Sequence, residues 1–470
     1  MYSKQEVTLI CASEDSSKKR SSLLRTLRER TCPPLGLLYL AAVLEKEKIK
    51  VGIIDLARLK GGIRQAIQAI RSSNPSVIGI YVTSFELSLV KRLISEIRNN
   101  LKGSRIVIGG PHVNYCPDSV VYLNADFGII SDGEYGLLGL VKELLNNGSN
   151  FMDIPNLITR SGNGIRVNGL KMIEDLDSLP FPARHLWPYR FYSPLIAGKI
   201  TSAVTSRGCV FQCSFCGVPN KGTLRARSVA SVIEEFGYLQ KQGFNYVELL
   251  DDTFTYDRNR VKLFCETLIE KRNDLKWTCL TRIDCVDKEL LRLMNLAKCT
   301  HIKYGIETGS EFIRNKIMKK PIANVQIENV IRETKGAGIF AEGCFMLAER
   351  EESLKDIRFT VEFIKKLKLD YIDFHLTWLV PGSEILKKAL TEQRITSDVW
   401  EKVADGKQVP FSTPDTVTLP EIIALRKKIM RDFYFNPVFL FKEIFTRTKD
   451  FPSAINKIMI LLNVLNLHRR

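Results

Sequence analysis

Short apolar segments alternate with amphipathic ones along most of this chain, and this alternation constrains the fold more than any other feature. Five apolar segments, from Val7–Cys11 to residues 126–130, are separated by stretches of helical periodicity. Strands that are apolar on both faces and joined by helices form parallel sheets covered by helices on both sides. We therefore predict an α/β fold that begins with a doubly wound, Rossmann-like (flavodoxin-like) domain over residues 1–170.

A second alternation occupies the middle of the chain. Six apolar segments between residues 200 and 378 alternate with helical patterns, which predicts another β/α domain over residues 196–390. Between the two domains, residues 171–195 are rich in proline and aromatic side chains, which predicts an extended linker in which His185 packs between the domains. Residues 391–470 predict a helical C-terminal region.

Three cysteines lie close together directly after the first strand of the middle domain. Cys209, Cys213 and Cys216 have the spacing C-x3-C-x2-C. Thiolates are ligands of iron–sulfur clusters, and three of them would leave one iron of a [4Fe-4S] cluster open to another ligand. The alternatives are an incomplete zinc site and a chance grouping among 11 cysteines, although no Cys or His follows at a zinc-finger spacing. The other cysteines of this domain are interpreted as core thiols.

This cysteine spacing, with the aromatic Phe215 before the last cysteine, resembles the signature of the radical S-adenosylmethionine (SAM) enzymes. The resemblance implies a [4Fe-4S] cluster whose open iron binds the amino and carboxylate groups of SAM. It also implies reductive cleavage of SAM to methionine and a 5′-deoxyadenosyl radical, on a partial (β/α)6 barrel of the TIM type. Barrel enzymes place their chemistry at the carboxyl ends of the strands.

Polar residues follow the strands of the middle domain where that chemistry is expected. The resemblance places Asp251 and Asp252 against the SAM amino group, with a helix N-cap pair as the alternative. It places Arg282 near the SAM carboxylate, Glu307 near the ribose and Pro381 in the loop near adenine. The candidate cofactor-binding residues of this domain are Phe215, Asp251, Asp252, Arg282, Gly305, Glu307 and Pro381.

The loops after the N-terminal strands carry a second set of candidates. They are Thr83, Ser84, Gly109, Gly110, His112, Gly133 and Glu134. Together with residues 33–44, these loops resemble the cobalamin-binding domain that precedes many radical SAM modules, which implies that they surround a corrin ring and its nucleotide tail. The D-x-H-x-x-G loop that supplies a histidine to cobalt is absent, as is common in the cobalamin-dependent radical SAM subfamily. The alternatives are turn glycines, a His112 that only hydrogen-bonds within its loop, and a domain that binds no corrinoid.

The net charge of +17 is unevenly distributed. Residues 18–30 hold six Lys or Arg and one acid, and residues 421–470 hold ten and four. The C-terminal stretch combines a basic amphipathic helix with an apolar one over residues 454–467, which predicts either packing on the barrel or contact with a membrane surface. No signal peptide, disulfide framework or transmembrane run is recognised, so we predict a cytoplasmic protein, with peripheral contact at the inner face of the membrane as the second option.

These features predict a radical SAM enzyme that uses a [4Fe-4S] cluster, SAM and cobalamin to methylate an unactivated carbon of a small-molecule or lipid-like substrate. A reducing electron donor such as flavodoxin or ferredoxin is the expected partner. Cyclisation or rearrangement without methyl transfer is the second hypothesis. Residues 345–352 end in a run of charges where relatives usually have a glycine- and proline-containing loop, so the substrate side is expected to differ.

Two functions of other classes are disfavoured by the sequence. A tRNA-modifying methylthiotransferase would carry three more cluster cysteines in its N-terminal domain and a C-terminal RNA-binding β-barrel. Here only Cys11, Cys32 and Cys116 precede the linker and the C-terminal pattern is helical, so nucleic acid is not an expected partner. A non-catalytic corrinoid or cluster sensor would not need Asp251, Arg282 and Glu307 beside the three cysteines. Cleavage of SAM separates the enzyme from the sensor.

Overall fold

The computed structural model describes residues 5–13, 33–162, 164–187, 199–219, 221–414 and 417–441. The basic run of residues 18–30 and the predicted apolar helix of residues 454–467 lie outside these ranges. The described chain forms two large sheets covered by helices, and further helices on the C-terminal side pack on both.

The N-terminal sheet has the doubly wound topology that the sequence predicts. Its strands within the described residues are Val7–Cys11 (β1), Val51–Asp55 (β2), Val77–Tyr81 (β3), Arg105–Gly109 (β4), Phe127–Ile129 (β5), Leu157–Ser161 (β6) and Gly164–Val167 (β7). They lie in the order β2-β1-β3-β4-β5-β6-β7. Strands β1 to β5 are parallel, whereas the hairpin β6–β7 continues the sheet in antiparallel pairing. The strand order changes direction at β1, where such sheets bind ligands.

Helices cover both faces of this sheet, which explains why its central strands are apolar throughout. They are Leu35–Lys46 (α1), Gly62–Ser73 (α2), Leu87–Asn100 (α3), Pro111–Tyr115 (α4), Ser119–Tyr122 (α5) and Glu134–Leu145 (α6). The apolar sides of α2 and α3 form one buried cluster with the sheet, and those of α1 and α6 form a second cluster. Since all five parallel strands run in one direction, the loops that follow them meet at one edge.

The second half of the chain forms an open β/α half-barrel. Its strands within the described residues are Lys199–Ala203 (β8), Ser206–Cys209 (β9), Thr223–Ala226 (β10), Phe244–Leu249 (β11), Lys276–Thr281 (β12), Cys299–Glu307 (β13), Phe340–Leu347 (β14) and Tyr371–Leu376 (β15). Six of them form one sheet in the order β15-β14-β13-β12-β11-β8, with every pair parallel. The predicted partial (β/α)6 barrel is confirmed.

The helices of this half follow the strands in turn. Those within the described residues are Val229–Lys241 (α7), Arg258–Glu270 (α8), Lys288–Leu296 (α9), Asn324–Gly336 (α10), Leu354–Leu367 (α11), Glu384–Thr391 (α12), Val399–Ala404 (α13), Leu419–Tyr434 (α14) and Pro437–Phe441 (α15). Several begin after a Ser or Asp whose side chain accepts a backbone N–H bond, namely Ser228, Asp257, Asp287, Ser353 and Ser383. Such caps satisfy N–H groups that a helix start leaves free.

Two local elements differ from the predictions. The strands β9 and β10 form a separate antiparallel hairpin around the cysteine segment, where the sequence predicts only a loop. The helical pattern of residues 311–318 predicts an α-helix, whereas the structure has a short π-helical turn there, Ile313–Ile317.

A buried ion-pair network fixes the linker to the half-barrel. Arg184 donates to Oε1 of Glu235 at 2.6 Å, and Arg227 pairs with the other carboxylate oxygen. The three side chains are at most 5% exposed. His185, which the sequence assigned to this packing, has a side chain that is 63% exposed beside Glu45. The linker therefore packs through Arg184.

The helices α12 and α13 pack on the N-terminal domain, although they follow the half-barrel in the chain. Ile385, Leu386, Trp400 and Val403 belong to the same apolar cluster as α2 and α3. Packing therefore crosses the boundary at residues 390/391, and the predicted domain limits stay predictions. Among the described residues, no helix has the length and apolar character needed to span a membrane.

The helix α14 covers the free edge of β15. Tyr434 Oη donates to the carbonyl oxygen of Ile372 at 2.6 Å and accepts from its N–H at 3.0 Å. Nε of Arg426 donates to the carbonyl oxygen of Phe374 at 2.6 Å. An uncovered strand edge is a template for aggregation, so these contacts protect the half-barrel.

Removal of the Tyr434 hydroxyl should destabilise this edge. Tyr434→Phe keeps the ring but leaves both backbone groups of Ile372 without their partner, and we expect the free energy of unfolding to fall by about 1–3 kcal/mol. Urea titration measures the change. Tyr256→Phe is the control, because that side chain is 46% exposed, and it should change the value by less than about 0.5 kcal/mol. Equal effects of the two substitutions would contradict the role of Tyr434.

Candidate active site

The cysteine loop, residues 209–219, is held by three neighbouring elements. It leaves β9 at Cys209 and returns to β10. In its middle, Ser214 donates through N–H to the carbonyl of Met318 at 3.1 Å and through Oγ to that of Ile317 at 2.7 Å. The carbonyl of Ser214 accepts from the N–H of Glu384 at 2.8 Å. The loop is therefore fixed by β9, by the π-helical turn and by the start of α12.

Close backbone contact joins the cysteine loop to the loop after β15 and to the N-terminal domain. A Cβ on Gly217 would lie 2.6 Å from the carbonyl oxygen of Pro381, so a side chain here would separate the two loops. Tyr115 of α4 packs against Gly382 and donates through Oη to the carbonyl of Val218 at 2.9 Å. The sequence-predicted Pro381 thus lies against the cysteine loop.

The three thiol groups have different surroundings. Cys213 is buried, and its sulfur lies 3.7 Å from Nη1 of Arg282. The sulfur of Cys216 accepts from a backbone N–H at 3.4 Å, and that of Cys209 lies 3.6 Å from Oγ1 of Thr253. Burial raises the pKa of Cys213, and it raises the pKa of Cys216 to about 11. Donors directed at sulfur favour the thiolate form that a metal takes.

The predicted aromatic and arginine neighbours lie beside this loop. Phe215 packs against the apolar cluster of the N-terminal domain. Arg282 is 6% exposed and forms a two-pronged ion pair with Asp284, at 2.9 Å through Nε and 2.7 Å through Nη2. Its guanidinium also lies 3.7 Å from the ring centre of Phe211. These contacts hold Arg282 with its remaining nitrogen directed at Cys213.

The two neighbouring acids after β11 have different environments. Asp251 is 2% exposed and accepts from Thr205 N–H at 2.7 Å, Thr205 Oγ1 at 2.5 Å and Ser206 Oγ at 2.7 Å. Asp251 therefore joins the end of β8 to the start of β9. Asp252 instead faces a cavity between the two domains. Partial burial in the wall of this cavity, together with the charge of Asp251, raises the pKa of Asp252 to about 6.

Glu307 ends β13 in an unusual backbone conformation, with φ at 67°. Lys320 donates to Oε1 of Glu307 at 2.6 Å, and both side chains are at most 10% exposed. A Cβ on Gly305 would lie 2.6 Å from Oε1 of Glu307 and from Nζ of Lys320, so glycine makes room for the pair. The sequence interpretation identified Gly305 and Glu307 but missed Lys320.

An interdomain cavity of ≈ 360 Å³ lies between the carboxyl edge of the N-terminal sheet and the cysteine loop. This volume is within the range of about 300–1,000 Å³ that ligand sites occupy. The sequence-predicted residues that line it are Gly109, Gly110, Gly133, Glu134 and Asp252. Gly110 has φ at 114°, and a Cβ there would lie 2.9 Å from the carbonyl oxygen of Val82, so this wall requires glycine. The structure therefore brings candidates from both domains together.

A charged clamp joins the two walls of this cavity. Arg207, two residues before Cys209, donates to Oδ1 of Asp132 at 2.8 Å and to Oε1 of Glu134 at 2.6 Å. Arg225 of β10 pairs with the second oxygen of Asp132. Asp132 and Glu134 are buried, and paired charges in a buried site are sensitive to the loss of either partner. The sequence interpretation selected only Glu134 from this group.

Three predicted residues of the N-terminal domain do not line the cavity, and of the candidates of the half-barrel only Asp252 lines it. Ser84 Oγ lies 2.8 Å from Nδ1 of His112, and Tyr122 Oη lies 2.6 Å from its Nε2. The ring of His112 is 1% exposed and stands edge-on to Trp400, and burial lowers the pKa of His112 to about 4. Thr83 also lies outside the lining of the cavity. The geometry favours the alternative in which His112 hydrogen-bonds within the fold.

Comparison with known families gives a match for each half of the chain. Residues 22–141 match the family described as B12 binding domain, and residues 203–364 match the Radical SAM superfamily. The chain is a radical SAM enzyme with a B12-binding domain. The first match covers the doubly wound sheet, and the second covers the half-barrel with its cysteine loop.

Relatives of this radical SAM enzyme match it over most of its length. An uncharacterized methyltransferase of Pyrococcus horikoshii is 28% identical over 441 residues, which are 90% of this chain and 92% of the relative. The cytidylyl-2-hydroxyethylphosphonate methyltransferase of Streptomyces wedmorensis is 25% identical over 88% of each chain. The solved radical SAM methyltransferase of Kitasatospora setae, with cobalamin and a [4Fe-4S] cluster bound, has a TM-score of 0.75 at 16% identity, over 98% of this chain and 99% of its own. This last likeness shows a shared fold.

The cysteine loop of the radical SAM enzyme fits an iron–sulfur cluster in its donor set. Cys209, Cys213 and Cys216 share one short loop, and cationic or backbone donors approach the sulfurs of Cys213 and Cys216. No three His, Cys, Asp or Glu side chains within the described ranges are arranged around one metal position. A [4Fe-4S] cluster does not need such an arrangement, because each of its three cysteines binds a different iron.

The interdomain cavity fits a corrinoid by its lining. Gly109, Gly110 and Gly133 bring backbone to the surface of the cavity, as close approach to a large flat ring requires. No histidine among the described residues lines it, which agrees with the missing D-x-H-x-x-G loop.

Substitution of the two acids should separate their roles. Asp251→Asn replaces one of the two accepting oxygens by an N–H₂ group, which then faces at least one of the three donors, so we expect the free energy of unfolding of the apoprotein to fall by about 2–3 kcal/mol. Asp252→Asn should leave stability within about 0.5 kcal/mol but weaken SAM binding. Urea titration and equilibrium dialysis of SAM with the reconstituted protein measure the two effects. Similar stability losses in both variants would contradict the assignment.

Proposed function

We propose that this enzyme methylates an unactivated carbon of a small-molecule substrate, with a [4Fe-4S] cluster, SAM and cobalamin as cofactors. The observation that carries the proposal is the interdomain cavity, because glycine loops of the B12-binding domain form one wall, while β9 and the end of the cysteine loop, Val218 and Pro219, line the other. When bound, the cofactors supply a carbon radical able to abstract hydrogen from an unactivated C–H bond and a methyl group for the resulting substrate radical.

The residues of the chain bind and orient these groups. Cys209, Cys213 and Cys216 hold the cluster, and Arg282 stabilises the charge of the sulfur nearest to it. Asp252 offers its carboxylate to the SAM amino group at the rim of the cavity. Glu307, fixed on one oxygen by Lys320, presents the other oxygen to the ribose hydroxyls.

The ion pairs between the domains keep the two halves of the cavity in register. Arg207 lies two residues before Cys209 and donates to the two acids after β5. It therefore ties the position of the cysteine loop to that of the B12-binding domain. Buried, oriented contacts of this kind hold reacting groups at a fixed distance and exclude water.

Relatives support methylation of small molecules. The Streptomyces wedmorensis relative is named as a methyltransferase for cytidylyl-2-hydroxyethylphosphonate, and the Pyrococcus horikoshii relative is named as a methyltransferase. The electron donor is a small reducing protein such as flavodoxin or ferredoxin. A cytoplasmic location, with peripheral membrane contact through residues 421–470, is part of the proposal; residues 442–470 lie outside the described ranges.

Anaerobic reconstitution tests the function. The protein is loaded with iron, sulfide and hydroxocobalamin, desalted, reduced and given SAM, and bound corrinoid and 5′-deoxyadenosine are measured together. We expect both. 5′-Deoxyadenosine without bound corrinoid would overturn methylation and leave a radical SAM enzyme on a B12-type domain that no longer binds its cofactor. Bound corrinoid without SAM cleavage would favour a sensor.

A further inference from the structure

A second cavity reaches the cysteine loop from outside the interdomain space. It has a volume of ≈ 160 Å³ and opens between the π-helical turn, the loop after β14 and α12. Ser214, the neighbour of Cys213, lies in its wall. The interdomain cavity instead contacts Arg207, Gly208, Val218 and Pro219, near the two ends of the loop. The cysteine loop therefore contributes residues to the walls of both cavities.

Basic side chains dominate the lining of this second cavity. We define the basic rim as Lys316, Lys319, Arg350, Lys388 and Arg394. Three acids, Glu349, Glu351 and Glu384, also line the cavity. Glu349 is 2% exposed, and burial raises the pKa of Glu349 to about 7, so at neutral pH this group carries only part of a negative charge. The charge of the cavity mouth is positive.

The basic rim remains available to a partner. Lys316 is exposed and forms no ion pair with any described residue. Lys319 pairs with Glu384, and Lys388 pairs with Glu351, through side chains that are about 29–54% exposed. Arg350 and Arg394 share Glu392. The two lysine pairs, whose lysine side chains are half exposed, contribute about 0–1 kcal/mol each, so an incoming acidic surface can replace them at little cost. Arg350 and Arg394 are only 26% and 25% exposed and stay closer to Glu392.

We propose that the basic rim is the docking surface for a small acidic electron-transfer protein of the flavodoxin type. The inference rests on the proposed function, because reductive cleavage of SAM takes one electron per turnover through the cluster. In the complex, the reduced partner gives that electron to the cluster and leaves one electron more oxidised. The rim is the described basic surface whose cavity contacts the middle of the cysteine loop.

The electrostatic character of the rim suits such a transient partner. Electron-transfer complexes bury little area, and charge complementarity governs their rate of association. Docking on this side leaves the interdomain cavity free for corrinoid and substrate. The net charge of +17 adds attraction over longer range at low salt.

Binding of a recombinant bacterial flavodoxin to the full-length protein tests the proposal directly. Lys316→Glu with Lys388→Glu reverses two rim charges and changes no residue placed in the cofactor sites. At low ionic strength we expect the Kd to rise about tenfold or more, mainly through slower association, and the salt dependence of binding to become shallower. Surface plasmon resonance measures both quantities.

The matched control is Lys241→Glu with Lys271→Glu, two exposed lysines in a depression beside α7 and α8. It has the same net charge and should bind flavodoxin nearly as tightly as the unchanged protein. Equal weakening in both variants would show a non-specific charge effect and overturn the docking site. Absence of flavodoxin binding to the unchanged protein would overturn it as well.

A chemical reductant separates this proposal from the proposed function. With titanium(III) citrate, the rim variant should cleave SAM at the rate of the unchanged protein, whereas with reduced flavodoxin its rate should fall about tenfold. If the unchanged protein does not cleave SAM with titanium(III) citrate, the proposed function fails. If the rim variant is as active as the unchanged protein with both reductants, the docking site fails.

Discussion

Cys213→Ala should abolish the iron–sulfur cluster and SAM cleavage together. With only two thiolates left on the loop, a [4Fe-4S] cluster lacks the ligands that hold it with one iron open. We expect iron and sulfide content and the visible absorbance of the reconstituted protein to fall to background, and 5′-deoxyadenosine to fall by at least about a thousandfold, equivalent to about 4 kcal/mol. Anaerobic reconstitution with iron analysis and absorbance measures the first effect, and product assay the second.

Cys285→Ala is the matched control for this substitution. Cys285 is half-buried and directly follows Asp284, the ion-pair partner of Arg282, so it lies near the cysteine loop without belonging to the motif. We expect this variant to keep its cluster. An intact [4Fe-4S] spectrum in Cys213→Ala, or loss of the cluster in Cys285→Ala, would contradict the proposed ligand set.

The large sheets could be predicted from sequence because their strands are buried. The sequence pattern predicts strands over residues 105–109 and 276–281, which are the bounds of β4 and β12, since apolar segments between helices have one favourable arrangement. The β9–β10 hairpin was missed because it carries Arg207, Gly208 and Arg225, and so it lacks the pattern of a buried strand. The position of α12 on the N-terminal domain depends on packing between distant residues, which local patterns do not contain.

The sequence predicts those residues of the site that lie at or directly after the carboxyl end of a strand. Asp252, Arg282 and Glu307 each end or follow a strand of the parallel sheet, and the carboxyl ends of these strands meet at the edge where the cysteine loop lies, so the sequence predicts them there. Sequence alone did not distinguish Asp251, which is buried in hydrogen bonds, from its neighbour Asp252, which faces the cavity. Lys320 follows another lysine and looks like a solvated residue, and only the fold brings it to Glu307.

Burial explains why two ion pairs of similar length differ in how much the loss of one partner destabilises the structure. Arg207 reaches Glu134 at 2.6 Å in the clamp, and exposed Lys319 reaches Glu384 at 2.5 Å in the basic rim. In the clamp, loss of one partner leaves a charge away from water, whereas in the rim water replaces the partner. The clamp therefore fixes geometry, and the rim stays free to exchange partners.

Glu235→Gln should cause a large loss of stability for the same reason. Glu235 is 0% exposed and is shared by Arg184 of the linker and Arg227 after β10. Glutamine removes the charge and one acceptor oxygen, so two buried guanidinium groups remain without a counter-charge. Removal of one partner from a buried pair costs about 3–5 kcal/mol. Urea titration should show this loss, with fluorescence of the buried Trp187, whose backbone N–H donates to the carbonyl of Arg184, as a local probe.

Glu289→Gln is the matched control, because its partner Arg258 lies at 2.5 Å but the two side chains are 74% and 42% exposed. We expect it to change the free energy of unfolding by about 0–1 kcal/mol. If both substitutions had the same effect, burial would not decide the strength of these pairs. Because Arg184 also donates to the backbone of β8 at 2.7 Å, Glu235→Gln should loosen the linker at the first strand of the half-barrel. The cysteine loop follows that strand, so corrinoid binding in the interdomain cavity should weaken in Glu235→Gln and stay unchanged in Glu289→Gln.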